Sequence, residues 1–393
     1  MNLTSADILA IRNLNRDEFT NLLNQAKEGK HSWGKKRILR ITSGLTQVDL
    51  FCYLGVRFGR PKGILTILRS DDSDNLAHWH YTLSINGELL EIISFTYRIE
   101  VMMPSRYECT ENDFSNLLKD QIAKHAEQIA HFKSQLEEWV TFLNPYKHLK
   151  SSADRLLARA SELDSALDKS PKHPANETEL RAFVEAYPKN AENADELSGL
   201  CLSIKMMAPV IAESFINLLI FILTKPEIKN DDKRMDKFLK LGIQPRLEAL
   251  HNNCIYFAKP VDTNHPIVKD FIDLMGRRND LLHGNVKPMK KSDERIYFLG
   301  KMPLFSEWRS MFERSLKTRM QAHTLTDAKT DMEIASKFIE HLMTHLDSTA
   351  AHSIEILAGT IDLGYDIKRK ILGKLFPNYV HDLIPADPKP GTA

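Results

Sequence analysis

The sequence predicts an α+β chain: an N-terminal α/β region with a small antiparallel sheet, then long helices, then an all-α helical bundle. Three observations predict it. From Lys36 to Met103 apolar and polar residues alternate with period two. From Glu111 to about Leu167 the apolar residues recur at three and four on a surface dense in Lys, Glu and Gln. Beyond residue 178 the helical period continues around one long apolar run. A chain of 393 residues with 42% hydrophobic content can bury a sizeable core and is expected to form two domains.

In chain order, residues 1 to about 30 read as helix. RILRIT, GILTIL, HYTLSI and ELLEIISFTYRIEV follow as strand candidates, with Asn86-Gly87 as a tight hairpin turn. These segments make residues 1–112 a small α/β domain. Phe114, Leu117, Leu118 and Ile122, then Ile129, Phe132, Leu136 and Trp139, predict long paired helices, so 113–168 reads as a helical hairpin or connector. KSPKHPANE, residues 169–177, combines two prolines with several charges and marks a linker. Residues 178–384 then form a helical domain, and the tail 385–393, PADPKPGTA, is expected to be disordered.

The run Met206–Thr224, MMAPVIAESFINLLIFILT, is long enough to span a bilayer. Pro209, Glu213, Ser214 and Asn217 would each need a partner inside hydrocarbon, so the run is expected to be a buried helix at the centre of the helical domain, with no membrane partner. Lys plus Arg (53) nearly balances Asp plus Glu (52), so any basic footprint must be local. Four scattered cysteines with no short CxxC spacing argue against a disulfide framework and a zinc site. The N-terminus carries no basic region followed by an apolar run. Together these imply a cytoplasmic protein. P-loop, GxGxxG, GxSxG and HExxH motifs are absent, which leaves ATPase, dehydrogenase and serine-hydrolase readings without support and implies no cofactor.

The segment GRRNDLLHGN, residues 276–285, carries the chemistry. Its helix is expected to start near Asn264 with Pro266 in the first turn and to end at Gly284 in a left-handed cap. Val268, Phe271, Leu274, Met275 and Leu282 fall on one apolar face, with Arg278 and Asn279 on it or at its edge. Asn279 and His283 are neighbours four apart, whereas Arg278 and His283 point about 140° apart on an ideal helix, so the pair converges only if the helix end unwinds or a second chain contributes. A histidine in the last turn also meets the negative end of the helix dipole, which attracts imidazolium. Spacing alone is weak: 21 arginines and 15 histidines give about one Arg-x4-His match by chance. Two occur, and the second, Arg246 to His251 in RLEALHNN, lacks both the polar residue after arginine and the glycine after histidine. Substituting Arg246 or His251 is therefore not expected to abolish activity.

Arg278-Asn279-Asp280-Leu281-Leu282-His283 resembles the Arg-x4-6-His signature of the HEPN superfamily, in which a polar residue follows the arginine. The resemblance covers about residues 190–375 and leaves the N-terminal half unassigned. It implies a helical bundle that dimerises to bring two motifs into one cleft, and metal-independent ribonuclease activity of the kind found in toxins, CRISPR systems and phage defence. Arg278 and His283 would be the catalytic pair and Asn279 a supporting residue. Some members have lost catalysis and act as binding modules for nucleic acid or protein.

The residue types suit that chemistry. Histidine can move protons to and from the 2′-hydroxyl and the 5′-oxygen, while the arginine fork neutralises phosphate oxygens. Arg277, Lys287, Lys290 and Lys291 are candidate RNA contacts. Between Gly284 and Met320 nine Lys and Arg face four carboxylates, a local charge of +5 that fits phosphate. Tyr297, Phe298, Phe305, Trp308 and Phe312 are available for stacking, although core positions are expected for most. Glu213 is a candidate carboxylate to support the catalytic pair from behind; in the alternative it would pair with Arg278 and, with His283 merely capping, make the motif a simple helix end. His341, His345 and His352, with Glu340 and Asp347, and separately His78 and His80, have metal-ligand spacing without a compact ligand set. The implied partners are RNA, a second copy of the chain, and a protein trigger or antitoxin met through the N-terminal half.

Overall fold

The computed structural model describes residues 1–28, 36–65, 77–169, 174–284, 295–307, 309, 313–317 and 323–375. The chain is α+β and divides into two compact units, the first within Met1–Glu138 and the second Trp139–Leu375. The division falls after Glu138 and not in the expected linker at 169–177.

The first unit holds helices α1 (Ser5–Leu9), α2 (Arg16–Lys27), α3 (Gln47–Phe58), α4 (Glu111–Lys124) and α5 (Ala126–Ser134). Its strands β1 (Arg12–Asn13), β2 (Lys36–Ile41), β3 (Ala77–Ile85), β4 (Glu88–Phe95) and β5 (Ile99–Pro104) form one antiparallel sheet in the order β1-β3-β4-β5-β2. The Asn86-Gly87 turn has φ of 48° and 85° at its two central residues, the conformation that an Asn-Gly pair favours between twisted strands. Tyr81, Leu83, Leu90, Ile92, Val101 and Leu39 line one buried face of the sheet and join Leu50, Tyr53 and Leu54 of α3 in a single core.

Helix α3 was not expected in this strand-rich region. Its signal is Thr46, whose hydroxyl accepts the Asp49 amide, followed by Leu50, Tyr53, Leu54 and Phe58 on one face. GILTIL does not behave as a strand over its described part: Ile64 and Leu65 are helical, and 66–68 lie outside the described residues.

The second unit contains β6 (Trp139–Phe142), α6 (Pro145–Ala166), α7 (Glu177–Leu223), α8 (Pro226–Lys229), α9 (Asp232–Leu239), α10 (Ile243–Asn253), α11 (Pro266–Leu282), β7 (Ile296–Leu299), β8 (Met302–Phe305), α12 (Leu325–Met343), α13 (Ser348–Gly359), β9 (Leu363–Asp366) and β10 (Ile371–Lys374). The all-α expectation fails here. Strands β10-β9-β6 form a three-stranded antiparallel sheet and β7-β8 a hairpin. Trp139, whose spacing suggested a continuing helix, is the first residue of β6, so the expected 113–168 hairpin is split between the units. Asn144, fully buried after β6, caps α6 by accepting the Lys147 amide and donates to the carbonyls of Leu357, Ala358 and Thr360 at the end of α13.

The apolar run forms the C-terminal part of α7, a helix of 47 residues. Its length and composition would allow it to cross a membrane, but Ile211, Ala212, Phe215, Ile216, Leu219 and Ile220 are buried in the core of the second unit. Helices α6, α11 and α12 pack around it, as expected of a helix apolar on nearly every side. The predicted tail lies outside the described residues.

Candidate functional site

Helix α11 begins as its sequence dictates, with His265 at the N-cap and Pro266 at the first helical position. It stays helical to Leu282; His283 is the C-cap, its amide bonded to the Asn279 carbonyl at 3.0 Å, and Gly284 follows at φ 60°. A residue with a Cβ is strained in that left-handed conformation, so glycine suits the stop. Val268, Phe271 and Leu274 are buried against the core, but Leu282 is 54% exposed and leaves the apolar face.

Arg278 is half-buried, and its Nη1 donates to Asn279 Oδ1 at 3.1 Å. Among the described residues it makes no ion pair. Asn279 and His283 are exposed. Because the helix does not unwind before His283, Arg278 and His283 leave it about 140° apart, and one chain does not bring them together.

The expected carboxylate partnerships fall differently. Glu213 does not support Arg278: its Oε1 accepts from Arg246 Nη1 at 3.2 Å, and the same nitrogen donates to Asn217 Oδ1 at 3.1 Å. Arg246 Nε and Nη2 both donate to the Leu241 carbonyl, at 3.1 and 2.7 Å. The guanidinium of the chance match is thus buried and consumed by the fold. His251, its companion, places Nδ1 3.0 Å from the Phe257 carbonyl. Arg277 is also held structurally, by an ion pair of 2.9 Å with the buried Asp331 of α12. Lys287, Lys290 and Lys291 lie outside the described residues.

Contacts along α11 and α12 fix their mutual direction. His265 stacks on His341 with ring centroids 4.2 Å apart, Phe271 on Phe338 at 3.9 Å, and Arg277 pairs with Asp331. As one number rises the other falls, so the helices run antiparallel and His283 ends level with Thr324, the N-cap of α12. At that end of α12 lies a cavity of about 430 Å³ lined by Lys169, Arg309, Lys317, Lys329 and the Thr324–Thr326 helix start, with Asp164 and Glu313 as its carboxylates. Arg309 and Lys317 converge on one carboxylate, Glu307, at 2.5 and 3.6 Å. Arg309 holds the Glu307 carboxyl below the usual range. Cations sharing a carboxylate beside a helix N-terminus form a place where phosphate oxygens can be received. The Thr324-x-x-Asp327 cap, in which the threonine hydroxyl accepts the Asp327 amide, is the sequence signal for this end.

The histidines with metal-ligand spacing take separate places. His341 stacks on His265, the N-cap of α11, and His345 packs edge-on against His341, whereas His352 lines a separate cavity of about 810 Å³ with Tyr146, Glu340 and Glu355. Burial pushes the pKa of both His341 and His345 down, and the neighbouring His265 and Lys259 act in the same direction. In the first unit, His78 Nε2 lies 3.0 Å from Thr96 Oγ1. His80, fully buried, accepts the Leu65 amide at Nδ1 and places Nε2 3.3 Å from Glu91 Oε1 without hydrogen-bond alignment. Glu91, also fully buried, binds Lys36 at 2.7 Å through Oε2. Among the described residues no three His, Cys, Asp or Glu side chains are grouped to hold a metal ion. Cys52, Cys109, Cys201 and Cys254 are all buried free thiols.

The chain matches no family model, no curated protein and no solved structure.

Proposed function

We propose that this chain is a metal-independent endoribonuclease of HEPN type, a cytoplasmic toxin or phage-defence effector that cuts RNA at a cleft formed by two copies. One observation carries the reading. Of two Arg-x4-His matches with identical spacing, Arg246 is locked into the fold by Glu213, Asn217 and Leu241, whereas Arg278, Asn279 and His283 remain accessible at a capped helix end without a carboxylate partner among the described residues. A motif not used to hold the fold is free to act on a ligand.

In the proposed reaction one His283 takes the proton of the 2′-hydroxyl. The oxygen attacks phosphorus, the bond to the 5′-oxygen breaks, and the second His283 donates a proton to that oxygen. The products are a 2′,3′-cyclic phosphate and a 5′-hydroxyl. Arg278 neutralises the non-bridging oxygens as charge builds in the transition state, and Asn279 holds the guanidinium through its 3.1 Å contact. The basic cavity at the start of α12 would receive a neighbouring phosphate. The first unit would meet a protein trigger or antitoxin.

The 140° divergence of the pair supports a second reading, a binding module for nucleic acid or protein that does no chemistry. Incubating the purified protein with total RNA, with and without EDTA, decides between them. Cleavage that survives EDTA supports the enzyme. Intact RNA supports the module, and cleavage that stops in EDTA and returns with Mn²⁺ or Zn²⁺ refutes metal independence.

A further inference from the structure

The hairpin β7-β8 joins neither larger sheet, and every residue of both strands is exposed. Tyr297, Phe298 and Phe305, expected mainly in the core, are 57%, 66% and 44% exposed, and Leu299 and Met302 are 72% and 59% exposed. Isolated two-stranded hairpins are marginal in water, and apolar surface of this kind in a soluble chain marks an interface.

The two edges of the hairpin are unlike. Leu299 faces Met302 across the two-residue turn Gly300-Lys301, in which only Gly300 has positive φ, 61°, the type II′ pattern. The pair flanking such a turn is hydrogen-bonded, so the next pair, Phe298 and Pro303, directs its backbone groups outward. On β8 the outward positions are Pro303 and Phe305, and the proline offers no N–H. On β7 the outward positions are Ile296 and Phe298, both able to donate and accept. Each chain therefore presents one open edge and one edge interrupted by proline. Pairing of two β7 edges about a two-fold axis uses both open edges and stops, whereas unlike edges would propagate.

Pairing of two β7 edges satisfies the outward backbone groups of Ile296 and Phe298 and brings together the flanks of the exposed β7 side chains, of which Phe298 and Leu299 are 66% and 72% exposed. Platforms for single-stranded RNA interleave aromatics with positive charge; here Arg314 covers the Phe305 ring of β8 at 4.1 Å, and the β7 strand IYFL contains no cation. A protein surface is the better match.

We infer that β7 pairs antiparallel with β7 of a second copy, making a four-stranded sheet with Tyr297 on the two-fold axis and Ile296 opposite Phe298. This deepens the dimeric reading above and rests on it for the claim that the sheet unites two motifs. Residues facing each other in such a non-hydrogen-bonded pair have Cα atoms about 4.5 Å apart, within disulfide range. Tyr297→Cys should crosslink on mild oxidation into a reducible species of twice the 45.0 kDa chain mass, while Lys301→Cys at the turn should not. Ile296→Pro removes an outward donor and should weaken the dimer on the order of 100-fold in sedimentation, as loss of a central interface contact does, with the far-ultraviolet spectrum unchanged. Pro303→Val supplies the missing donor on β8 and should convert dimers into larger assemblies.

A full-length chain that stays monomeric at micromolar concentration overturns the inference, as does a dimer indifferent to Ile296→Pro. Loss of RNA binding in Ile296→Pro from a chain monomeric throughout would overturn it in favour of an RNA platform. A hairpin dimer that leaves RNA intact supports the inference while the ribonuclease reading fails, and RNA cleavage by a monomer does the reverse.

Discussion

Arg246→Ala tests the assignment of roles to the two motifs most directly, because spacing alone does not distinguish it from Arg278 and the structure expects a large loss of stability. The side chain is 10% exposed and makes four hydrogen bonds, to Glu213, Asn217 and twice to Leu241. Truncation leaves a carboxylate, an amide oxygen and a carbonyl without their donor. Breaking a buried ion pair from one side costs about 3 to 5 kcal/mol, and because Glu213 is 27% exposed, water can recover part of the loss, which places the expectation at about 3 kcal/mol. For a unit of this size that is a fall of roughly 6 to 12 °C in Tm. Differential scanning calorimetry of the full chain should show one transition displaced by that amount. Lys at 246 keeps the charge but loses the fork and should recover only part of it. The double variant Arg246→Met, Glu213→Leu should be nearly neutral, since the pair is costly to break and not to replace. A Tm within about 1 °C of wild type for Arg246→Ala, equivalent to well under 1 kcal/mol, would refute the reasoning.

The motif itself should behave in the opposite way: Arg278→Ala and His283→Ala should abolish RNA cleavage with Tm nearly unchanged, and Asn279→Ala should leave partial activity, each read by gel assay beside calorimetry. Unfolding by Arg278→Ala together with full activity in His283→Ala would make the motif a helix end. In the first unit, Glu91→Gln should destabilise by about 3 kcal/mol, because it breaks from one side an ion pair whose carboxylate is fully buried; an unchanged transition in denaturant would show that the 2.7 Å contact adds no net stability. The histidine stack makes the second unit acid-sensitive. The pKa of His341 and His345 lies below the ordinary 6.5, so the unfolded chain binds protons first, and stability present above pH 6.5 is lost as pH falls through the folded values. His265 and Lys259 add to the effect and Asp262 opposes it at His341. Tm should fall between pH 7.5 and 5.5 in wild type and less in His341→Gln, His345→Gln; equal falls would place the sensitivity elsewhere.

Elements with strong local chemistry were legible in the sequence. Asn86-Gly87 predicted its turn because both positions need positive φ, and Pro266 and Gly284 bounded α11 because proline suits a helix start and glycine a left-handed stop. The apolar run in α7 read as a buried helix because its polar residues had no place in lipid, and two of them, Glu213 and Asn217, do find their partner in Arg246. Helix α3 was hidden because a strand and a buried helix can share one short apolar run, and its Thr46 cap is a signal of a single residue. Strands β6, β9 and β10 were hidden for a different reason. Trp139–Phe142 and Leu363–Asp366 are far apart in the chain, and four-residue strands carry too little periodicity to announce a partner at that distance.

The identity of the arginine that binds Glu213 lies beyond spacing altogether. Both motifs place arginine five residues before histidine on a helix, and charge favours neither. What separates them is the fit of α10 against α7, which brings Arg246 to Glu213 and Asn217 while its other nitrogens reach back to the Leu241 carbonyl. Once these acceptors are taken, Arg278 has among the described residues Asn279 Oδ1, a neutral acceptor that orients a guanidinium without cancelling its charge. An arginine in that condition still favours an anion, and His283 stands at the same helix end with its ring exposed. The fold therefore divides two similar sequence motifs into one whose arginine is spent on buried acceptors and one whose arginine holds no carboxylate among the described residues. The discriminating quantity is the number of acceptors already satisfied around each guanidinium.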